Sequence, residues 1–434
     1  MCGDDNDNER YNLSKHIPGQ MNSEETPHIF QGFGIELEYM ITDLASLNVL
    51  PIADQVLAEA AGGAASEVDR GLLGWSNELV LHVIEIKNGR PVGSLTGLAD
   101  RFQNEVTAIN SLLAPMGGRL LPTAMHPWMD PAGETRLWPH DNAEIYAAYN
   151  RIFDCRGHGW SNLQSTHINL AFNGDEEFGR LHAAIRVLLP LLPAIAASSP
   201  FVDGRPTGRH DNRLEFYRHN QRRLPIITGK VIPEPCFSRA QYHTSILGRI
   251  YADIRPHDPE GLLQFEWLNS RGAIARFERS AIEIRILDLQ ECPQADLAIA
   301  AAIIAVLQAL DNGVWSEAER LRQAREERLL PMFLATLEKG EDAVIDDRSY
   351  LELLGFPGTR ATAAELWRHL HEGSLPFWEK GEEAGRRTFG KILQHGSLAS
   401  RLLAAAGTHP NRGRLREIYG ELRDCLAAGR LFLP

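Results

Sequence analysis

Polar and apolar residues alternate along four stretches of the chain, at 32–40, 79–87, 165–172 and 281–288. Alternation with a period of two is typical of a half-buried β-strand, because successive side chains of a strand point to opposite faces. Each stretch therefore predicts a strand with an aliphatic back and a front of ionisable or amide side chains. The front residues are Glu36 and Glu38, Glu85 with Lys87, His167 and Asn169, and Glu283 and Arg285.

Apolar residues at helical spacing predict helices over 51–61, 95–113, 142–153 and 178–197, the last bent or broken by Pro190 and Pro193. The most apolar segment, 297–310, is shorter than the roughly 20 residues that span a bilayer. We expect a buried core helix there, with Asp296 as its N-cap. Beyond Gly313 the chain is predicted to be helical. The apolar stripe of its final helix packs on its own domain or, as an alternative, forms a dimer interface.

The order of these elements sets the fold class. Because helices separate the strands, the chain is α+β, with the apolar face of a sheet packed on helices. Three regions are predicted: a polar tail over 1–28 that we expect to be disordered, a sheet-containing domain over 29–313, and a helical region over 314–434 packed on that domain.

Composition narrows the classes of function. The hydrophobic content of 44% and charged content of 23% are those of a globular protein. A formal net charge of −13 argues against nucleic acid as the main partner. The amino end has no apolar run typical of an export signal, and the five cysteines form no CxxC pair. We therefore expect a cytoplasmic protein that binds neither nucleic acid nor membrane.

The four predicted strand fronts carry the candidate chemistry. If they line one concave surface, carboxylates and one imidazole converge there, and oxygen ligands of this kind select Mg²⁺ or Mn²⁺. Arg285 and the arginines between Arg205 and Arg223 would then neutralise charge during phosphoryl transfer. The plainer alternative is a solvated sheet face, with Glu85–Lys87 and Glu283–Arg285 as simple ion pairs.

Five motifs occur along the chain in the order found in one known family. They are Gly34-Ile35-Glu36-Leu37-Glu38, His126-Pro127, Thr166-His167-Ile168-Asn169, Ala197-Ser198-Ser199-Pro200-Phe201 with Gly204 and Thr207-Gly208, and Ile282-Glu283-Ile284-Arg285-Ile286. Over roughly residues 30 to 310 the chain resembles the glutamate–cysteine ligase type 2 carboxylate-amine ligases, relatives of glutamine synthetase.

The resemblance implies a curved, mostly antiparallel sheet that holds ATP and metal ions. It also implies that a small carboxylate is phosphorylated and then joined to an amine, in a γ-glutamyl-type or related amide. Position by position, it makes Glu36, Glu38, Glu85, His167 and Glu283 metal ligands. The resemblance also implies that ATP is contacted by His167, Asn169, Arg285, Thr207 and Gly208. It implies catalytic roles for Arg285 and Arg213. The loop 199–207 is the candidate lid, and a homo-oligomer is compatible with the sequence.

The chain departs from the family pattern at two points. His167-Ile168-Asn169 stands where His-x-His is common, and Lys87 follows Glu85 where a Thr-Pro turn is usual. Lys87 either pairs with Glu85 and displaces a metal or reaches a substrate carboxylate. These two departures support one alternative, a catalytically silent nucleotide- or metabolite-binding protein. A second alternative is a guanidino-type phosphotransferase, which shares this sheet but passes phosphate to nitrogen.

Overall fold

The computed structural model describes residues 26–434, so most of the predicted tail lies outside the described residues. Near the start of this range, His28 contacts Glu177, with Nδ1 lying 2.7 Å from Oε1.

Short and long strands alternate with helices along the described chain. The strands are β1 (Phe33–Asp43), β2 (Glu67–Asp69), β3 (Leu73–Asn77), β4 (Val83–Asn88), β5 (Gly118–Leu121), β6 (Ser165–Ala171), β7 (Phe201–Val202), β8 (Arg205–Pro206), β9 (Ala273–Arg276), β10 (Ala281–Asp288), β11 (Val344–Ile345) and β12 (Ala361–Thr362). Eight of them form one antiparallel sheet in the order β2-β3-β4-β1-β6-β10-β9, with β5 paired to β1. The four strands predicted from alternation are thus consecutive neighbours, β4-β1-β6-β10.

Helices account for about half of the remaining described residues. They are α1 (Ala53–Ala61), α2 (Leu98–Leu113), α3 (Pro131–Glu134), α4 (Ala143–Phe153), α5 (His158–Ser161), α6 (Gly174–Leu188), α7 (Pro193–Ala196), α8 (Asn212–Tyr217), α9 (Arg239–Tyr242), α10 (Gly248–Ile254), α11 (Pro293–Asp311), α12 (Ala318–Arg322), α13 (Glu326–Lys339), α14 (Arg348–Leu353), α15 (Ala363–Ser374), α16 (Glu383–His395), α17 (Leu398–Ala406) and α18 (Arg412–Ala428). The predicted bend near Pro190 and Pro193 is present, because a 3₁₀ turn over Leu189–Leu191 separates α6 from α7.

The aliphatic backs of the strands form the core together with α11. Residues such as Ile35, Ile168 and Ile284 are buried there, and α11 packs against α2, α6, α15 and α16. By length and composition α11 is apolar enough to cross a membrane, but 89% of its most apolar window is buried within the protein. The prediction of a buried core helix agrees with this placement.

Two details predicted for that helix are wrong. It has 19 residues rather than the 14 of 297–310, and its N-cap is Cys292 rather than Asp296. Asp296 lies in the first turn and accepts hydrogen bonds from the Thr166 hydroxyl at 2.6 Å and from the backbone N–H of Gln290 at 3.0 Å. Burial raises the pKa of Asp296 to about 8. Its side chain therefore fastens the helix to the back of β6 instead of capping it.

After Gly313 the regular elements of the described residues are the helices α12 to α18, short 3₁₀ turns and the two-residue strands β11 and β12, which pair with each other. The apolar stripe of α18 is buried against residues of its own chain, among them Leu121, Phe201 and Phe432. The first of the two alternatives for this stripe therefore describes the structure. The predicted α+β class, with a mostly antiparallel sheet and helical C-terminal region, is confirmed.

Candidate active site

The front residues of the four central strands lie directly across from one another. In the register of the sheet, Glu38 is opposite Glu85, Glu36 is opposite His167, and Asn169 is opposite Glu283. Because side chains on one face of an antiparallel pair at directly opposite positions approach to about 5 Å, this register forces the polar groups together. The structure therefore brings the ionisable fronts of the four predicted strands together on one face of the sheet, as the predicted site required.

His167 is the centre of the cluster. Its Nδ1 lies 2.9 Å from Glu36 Oε2 and 3.6 Å from Glu283 Oε1, while Nε2 lies 2.9 Å from Ser165 Oγ and 3.8 Å from Glu38 Oε1. Burial acts to lower the pKa of His167, but the hydrogen bond to Glu36 and the surrounding carboxylate charges raise it overall. The ring therefore joins two groups of carboxylates, one at each nitrogen.

Glu36 and Glu283 form the group at Nδ1. Glu36 also accepts a hydrogen bond from Asn169 Nδ2 at 2.9 Å. Glu283 is held between two arginines, with Arg285 Nε 3.2 Å from Oε1 and Arg276 Nη1 3.1 Å from Oε2. Burial raises the pKa of each carboxylate, but the His167 contacts outweigh it at Glu36 and the Arg285 charge at Glu283, so both pKa values fall below the usual range.

Glu38 and Glu85 form the group at Nε2. Glu38 Oε2 accepts hydrogen bonds from the backbone N–H of Ser165 at 2.7 Å and from its hydroxyl at 2.9 Å. Glu85 Oε2 accepts one from Ser76 Oγ at 2.7 Å and lies 2.8 Å from Lys87 Nζ. Burial and the charge of Glu36 keep the pKa of Glu85 raised in spite of Lys87. The 2.8 Å distance between Lys87 Nζ and Glu85 Oε2 shows that the expected ion pair between these residues is present.

Three residues with predicted roles lie outside this contact network. Arg213 is buried and its Nε lies 2.5 Å from Asp288 Oδ1, so it ties the first turn of α8 to the end of β10. The Thr207 hydroxyl donates to Asn212 Oδ1 at the start of α8, and Gly208 is exposed with φ +85°. The predicted catalytic role of Arg213 requires its guanidinium to face a ligand. In the structure this side chain is only 1% exposed and is paired with Asp288.

His126 of the second motif has a structural position. Its Nε2 lies 2.7 Å from the Leu47 carbonyl in a fully buried loop, and burial lowers the pKa of the imidazole to about 4. The side chain is thus a neutral packing group away from the strand fronts.

Sequence reasoning missed Glu78, Ser165 and Arg276. Glu78 follows β3, and burial together with the charges of Glu38 and Glu85 raises its pKa well above the usual value. Ser165 shares the alternation that marked His167 and Asn169, so the period-two signal included it. Arg276 ends β9, whose buried Ala-Ile-Ala run shows no alternation, and only the pairing of β9 with β10 brings it to Glu283.

The donor set suits a divalent cation. One oxygen or nitrogen from each of Glu36, His167 and Glu283 lies within 4.8 Å of the others, and the same holds for Glu38, Glu85 and His167. The site contains five carboxylates: Glu36, Glu38, Glu78, Glu85 and Glu283. Among the described residues only three lysine or arginine side chains pair with them, namely Lys87, Arg276 and Arg285. Oxygen-rich sites with surplus negative charge prefer Mg²⁺ or Mn²⁺ to structural zinc.

Comparisons with known proteins agree with this geometry. The profile described as Glutamate-cysteine ligase family 2 matches residues 32–421. An uncharacterised protein of Archaeoglobus fulgidus is 37% identical over 328 residues, covering 74% of this chain and 88% of that protein. A Rubrobacter xylanophilus relative, provisionally named glutamate–cysteine ligase 2-1, is 24% identical over 248 residues, covering 55% of this chain and 61% of its own length. The solved glutamate–cysteine ligase of Francisella tularensis, in complex with AMP, has a TM-score of 0.58 at 11% identity, covering 92% of this chain and 88% of that chain.

Fold, site and profile together define a carboxylate-amine ligase. The chain belongs to glutamate-cysteine ligase family 2, whose profile takes in every strand of the main sheet. The family named from the motifs is confirmed, and the match extends well beyond the predicted limit near residue 310, into α18.

Proposed function

We propose that this ligase uses ATP and Mg²⁺ to activate the carboxylate of a small acid as an acyl phosphate, which an amine then converts to an amide. A γ-glutamyl-type or related product is the one that the family suggests. The observation that carries the proposal is the convergence of Glu36, Glu38, Glu85 and Glu283 on His167, with Arg285 at the edge of the cluster. Phosphoryl transfer needs this combination of anionic ligands for a metal and a cation for phosphate.

The metal-facing residues divide by their position around His167. Glu36 and Glu283 would hold Mg²⁺ on the Nδ1 side, and Glu38 and Glu85 face the Nε2 side. An Mg²⁺ ion held by these residues would supply positive charge to neutralise the phosphates of the nucleotide. Asn169, which donates to Glu36, fixes the direction of that carboxylate's free lone pairs.

Arg285 is the candidate for the transferring phosphoryl group. Its side chain is 23% exposed while its partner Glu283 is 4% exposed, so the guanidinium lies on the open side of the pair. A planar guanidinium suits phosphate oxygens, and it stabilises charge that spreads over them during transfer. Arg276 on the other side of Glu283 leaves Arg285 free to turn toward a ligand without stranding that carboxylate.

The reaction then needs no nucleophilic side chain. A substrate carboxylate oxygen attacks the γ-phosphorus as ADP leaves, and the amine nitrogen attacks the acyl carbon as phosphate leaves. The four cysteines in the described residues are free and buried, away from such a role. Shielding the acyl phosphate from water is the task that we assign to the loop 199–207, where the nucleotide contacts of Thr207 and Gly208 stay predictions.

The test is a screen for ADP release over pairs of acids and amines. The proposal expects release that requires both partners and Mg²⁺, and that disappears in Glu36→Gln. Release with a single nitrogen acceptor and a stable phosphoramidate product would instead indicate a phosphotransferase. ATP binding without turnover for any pair would indicate a silent binding protein.

A further inference from the structure

Two tyrosines of α4 lie close to the charged groups of the candidate active site. Burial and the charge of Glu78 raise the pKa of Tyr146, whose hydroxyl also accepts a hydrogen bond from Asn77 Nδ2 at 3.0 Å. Burial raises the pKa of Tyr149 as well, while the charge of Arg285 acts to lower it. The helix packs into the core through other residues, namely Ile145, Ala148 and Ile152. The aromatic side of α4 therefore borders the site.

Tyr149 belongs to a connected group of rings, which we call the aromatic wall. Its ring centroid lies 5.3 Å from that of Trp160 and 5.9 Å from that of Trp267. Phe153 stacks on Trp160 at 5.6 Å, and Phe265 stacks on Trp267 at 5.8 Å. All five residues of the wall are half-buried, so each keeps some surface that the described chain does not cover.

The aromatic wall adjoins the phosphoryl end of the proposed site. Arg285 Nη1 donates to the Asn269 carbonyl at 3.4 Å, and Asn269 follows directly on the 3₁₀ turn Glu266–Leu268 that carries Trp267. In ATP, the ribose and two further phosphates separate the base from the γ-phosphorus. Rings next to Arg285 are therefore placed for the substrates that meet the transferred phosphoryl group rather than for adenine.

We propose that the aromatic wall binds an aromatic group of the amine substrate, so that the ligase joins a small acid to an arylalkylamine. This inference rests on the proposed function and narrows it by naming the class of the amine. Rings bind other rings through stacked and edge-to-face contacts, which the wall offers. The acid must stay charged to attack phosphorus, which favours the ionic front of the sheet. The amine must be neutral to attack the acyl carbon, and apolar surroundings favour its neutral form.

The experiment compares two amines that differ by the ring, 2-phenylethylamine and ethylamine. Their affinities for the full chain with Mg²⁺ and ATP are measured by ligand-observed NMR titration, without an acid so that no amide forms. The ring should strengthen binding to the wild type by about tenfold or more. This comparison needs no variant, so it decides the inference even if a substitution in the wall prevents folding.

Variants of the aromatic wall then test which residues supply the preference. Trp267→Leu should lower the affinity for 2-phenylethylamine about tenfold and leave the affinities for ethylamine and ATP unchanged, a split that general damage to the fold would not give. Trp267→Phe keeps a ring and should keep most of the affinity. Trp160→Leu, on the other neighbour of Tyr149, is a second change with the same expectation. The matched control is Trp378→Leu, a half-buried tryptophan that packs on Phe389 in the C-terminal helical region.

The contrary results are distinct from one another. Equal affinities of the wild type for the two amines would overturn the inference and leave the proposed ligase intact. A loss of ATP affinity in Trp267→Leu with unchanged binding of 2-phenylethylamine would also overturn it, and would assign the wall to the base of the nucleotide. Absence of ADP release for every pair of acid and amine would overturn the proposed ligase, whereas ring-dependent amine binding that Trp267→Leu weakens would still support the wall as a binding site.

Discussion

Glu36 and His167 occupy directly opposite positions on β1 and β6, and their side chains meet with Glu36 Oε2 2.9 Å from His167 Nδ1. This cross-strand contact sets the geometry of the site, because the same ring reaches Glu283 from Nδ1 and Ser165 from Nε2. One strand register thus orients acidic side chains from distant parts of the chain toward a common centre.

Ser165 is expected to position both Glu38 and His167. In Ser165→Ala the hydroxyl contacts to both are lost, while the backbone N–H still reaches Glu38 Oε2. Mutation of a residue that orients a metal ligand typically lowers metal affinity by about 10- to 100-fold. We therefore expect the Mn²⁺ affinity of Ser165→Ala to fall by about tenfold, with overall stability nearly unchanged. Ser165→Thr keeps a hydroxyl and should recover part of the loss; equal Mn²⁺ affinities for Ser165→Ala and the wild type would contradict the role.

Arg213 is expected to matter for stability rather than for binding. Its guanidinium and Asp288 form a buried pair that also anchors Ser198 and Ser199, so Arg213→Met leaves a buried carboxylate without its counter-charge. Breaking one partner of such a pair costs about 3–5 kcal/mol, measurable as a loss in the free energy of urea unfolding.

The matched variant for Arg213 removes the partner charge as well. Arg213→Met combined with Asp288→Asn should recover part of the stability, because the amide oxygen still accepts from the loop. A full-stability Arg213→Met protein with impaired ATP binding would reverse the assignment and restore the role first predicted for this arginine.

His182 predicts an acid-sensitive core. It is fully buried beside Phe178 and Tyr242, and burial with the nearby Arg186 charge lowers the pKa of the ring to about 3. The unfolded chain takes up the proton near pH 6.5 while the folded chain does not, so the stability that the neutral ring supplies above that pH is lost as the pH falls toward 3. At pH 5 the loss is about 2 kcal/mol relative to pH 7.5.

The check on His182 is a comparison of unfolding free energies at pH 7.5 and pH 5. His182→Phe cannot titrate and keeps an aromatic ring in the same surroundings, so its stability should fall by about 2 kcal/mol less than that of the wild type. Equal losses in the two proteins would show that this ring does not titrate as described.

The central strands were predictable because alternation is a local property of the chain. Glu36, Glu38, His167 and Glu283 were visible as front residues of strands whose backs are aliphatic. The adjacency of β4, β1, β6 and β10 was needed for a site, and the motif order, not the alternation, pointed to it. Once the strands are neighbours, the register brings the fronts together without further instruction.

The remaining features depend on tertiary contacts that no local pattern encodes. Arg276 reaches Glu283 because β9 is added beside β10, although its own strand is only four residues long. Asp296 stands directly before the apolar run in the sequence, as a cap would, but the helix begins at Pro293, and Thr166 of the neighbouring sheet donates a hydrogen bond to its carboxylate. In the sequence Arg213 follows a loop that resembles a phosphate-binding loop, but its guanidinium forms an ion pair with the buried Asp288 at the end of β10.

The central claim is that the carboxylates around His167 bind a metal–nucleotide complex, and Glu36→Gln tests it most directly. The measurement is equilibrium binding of ATP with and without Mg²⁺ to the wild type, to Glu36→Gln and to the control Glu59→Gln, whose side chain is exposed on α1. We expect Mg²⁺ to strengthen ATP binding in the wild type and in Glu59→Gln, and Glu36→Gln to lose about 100-fold in Mg²⁺-dependent affinity, as loss of a directly coordinating charge implies. Equal Mg²⁺-dependent affinities in all three proteins would contradict the account.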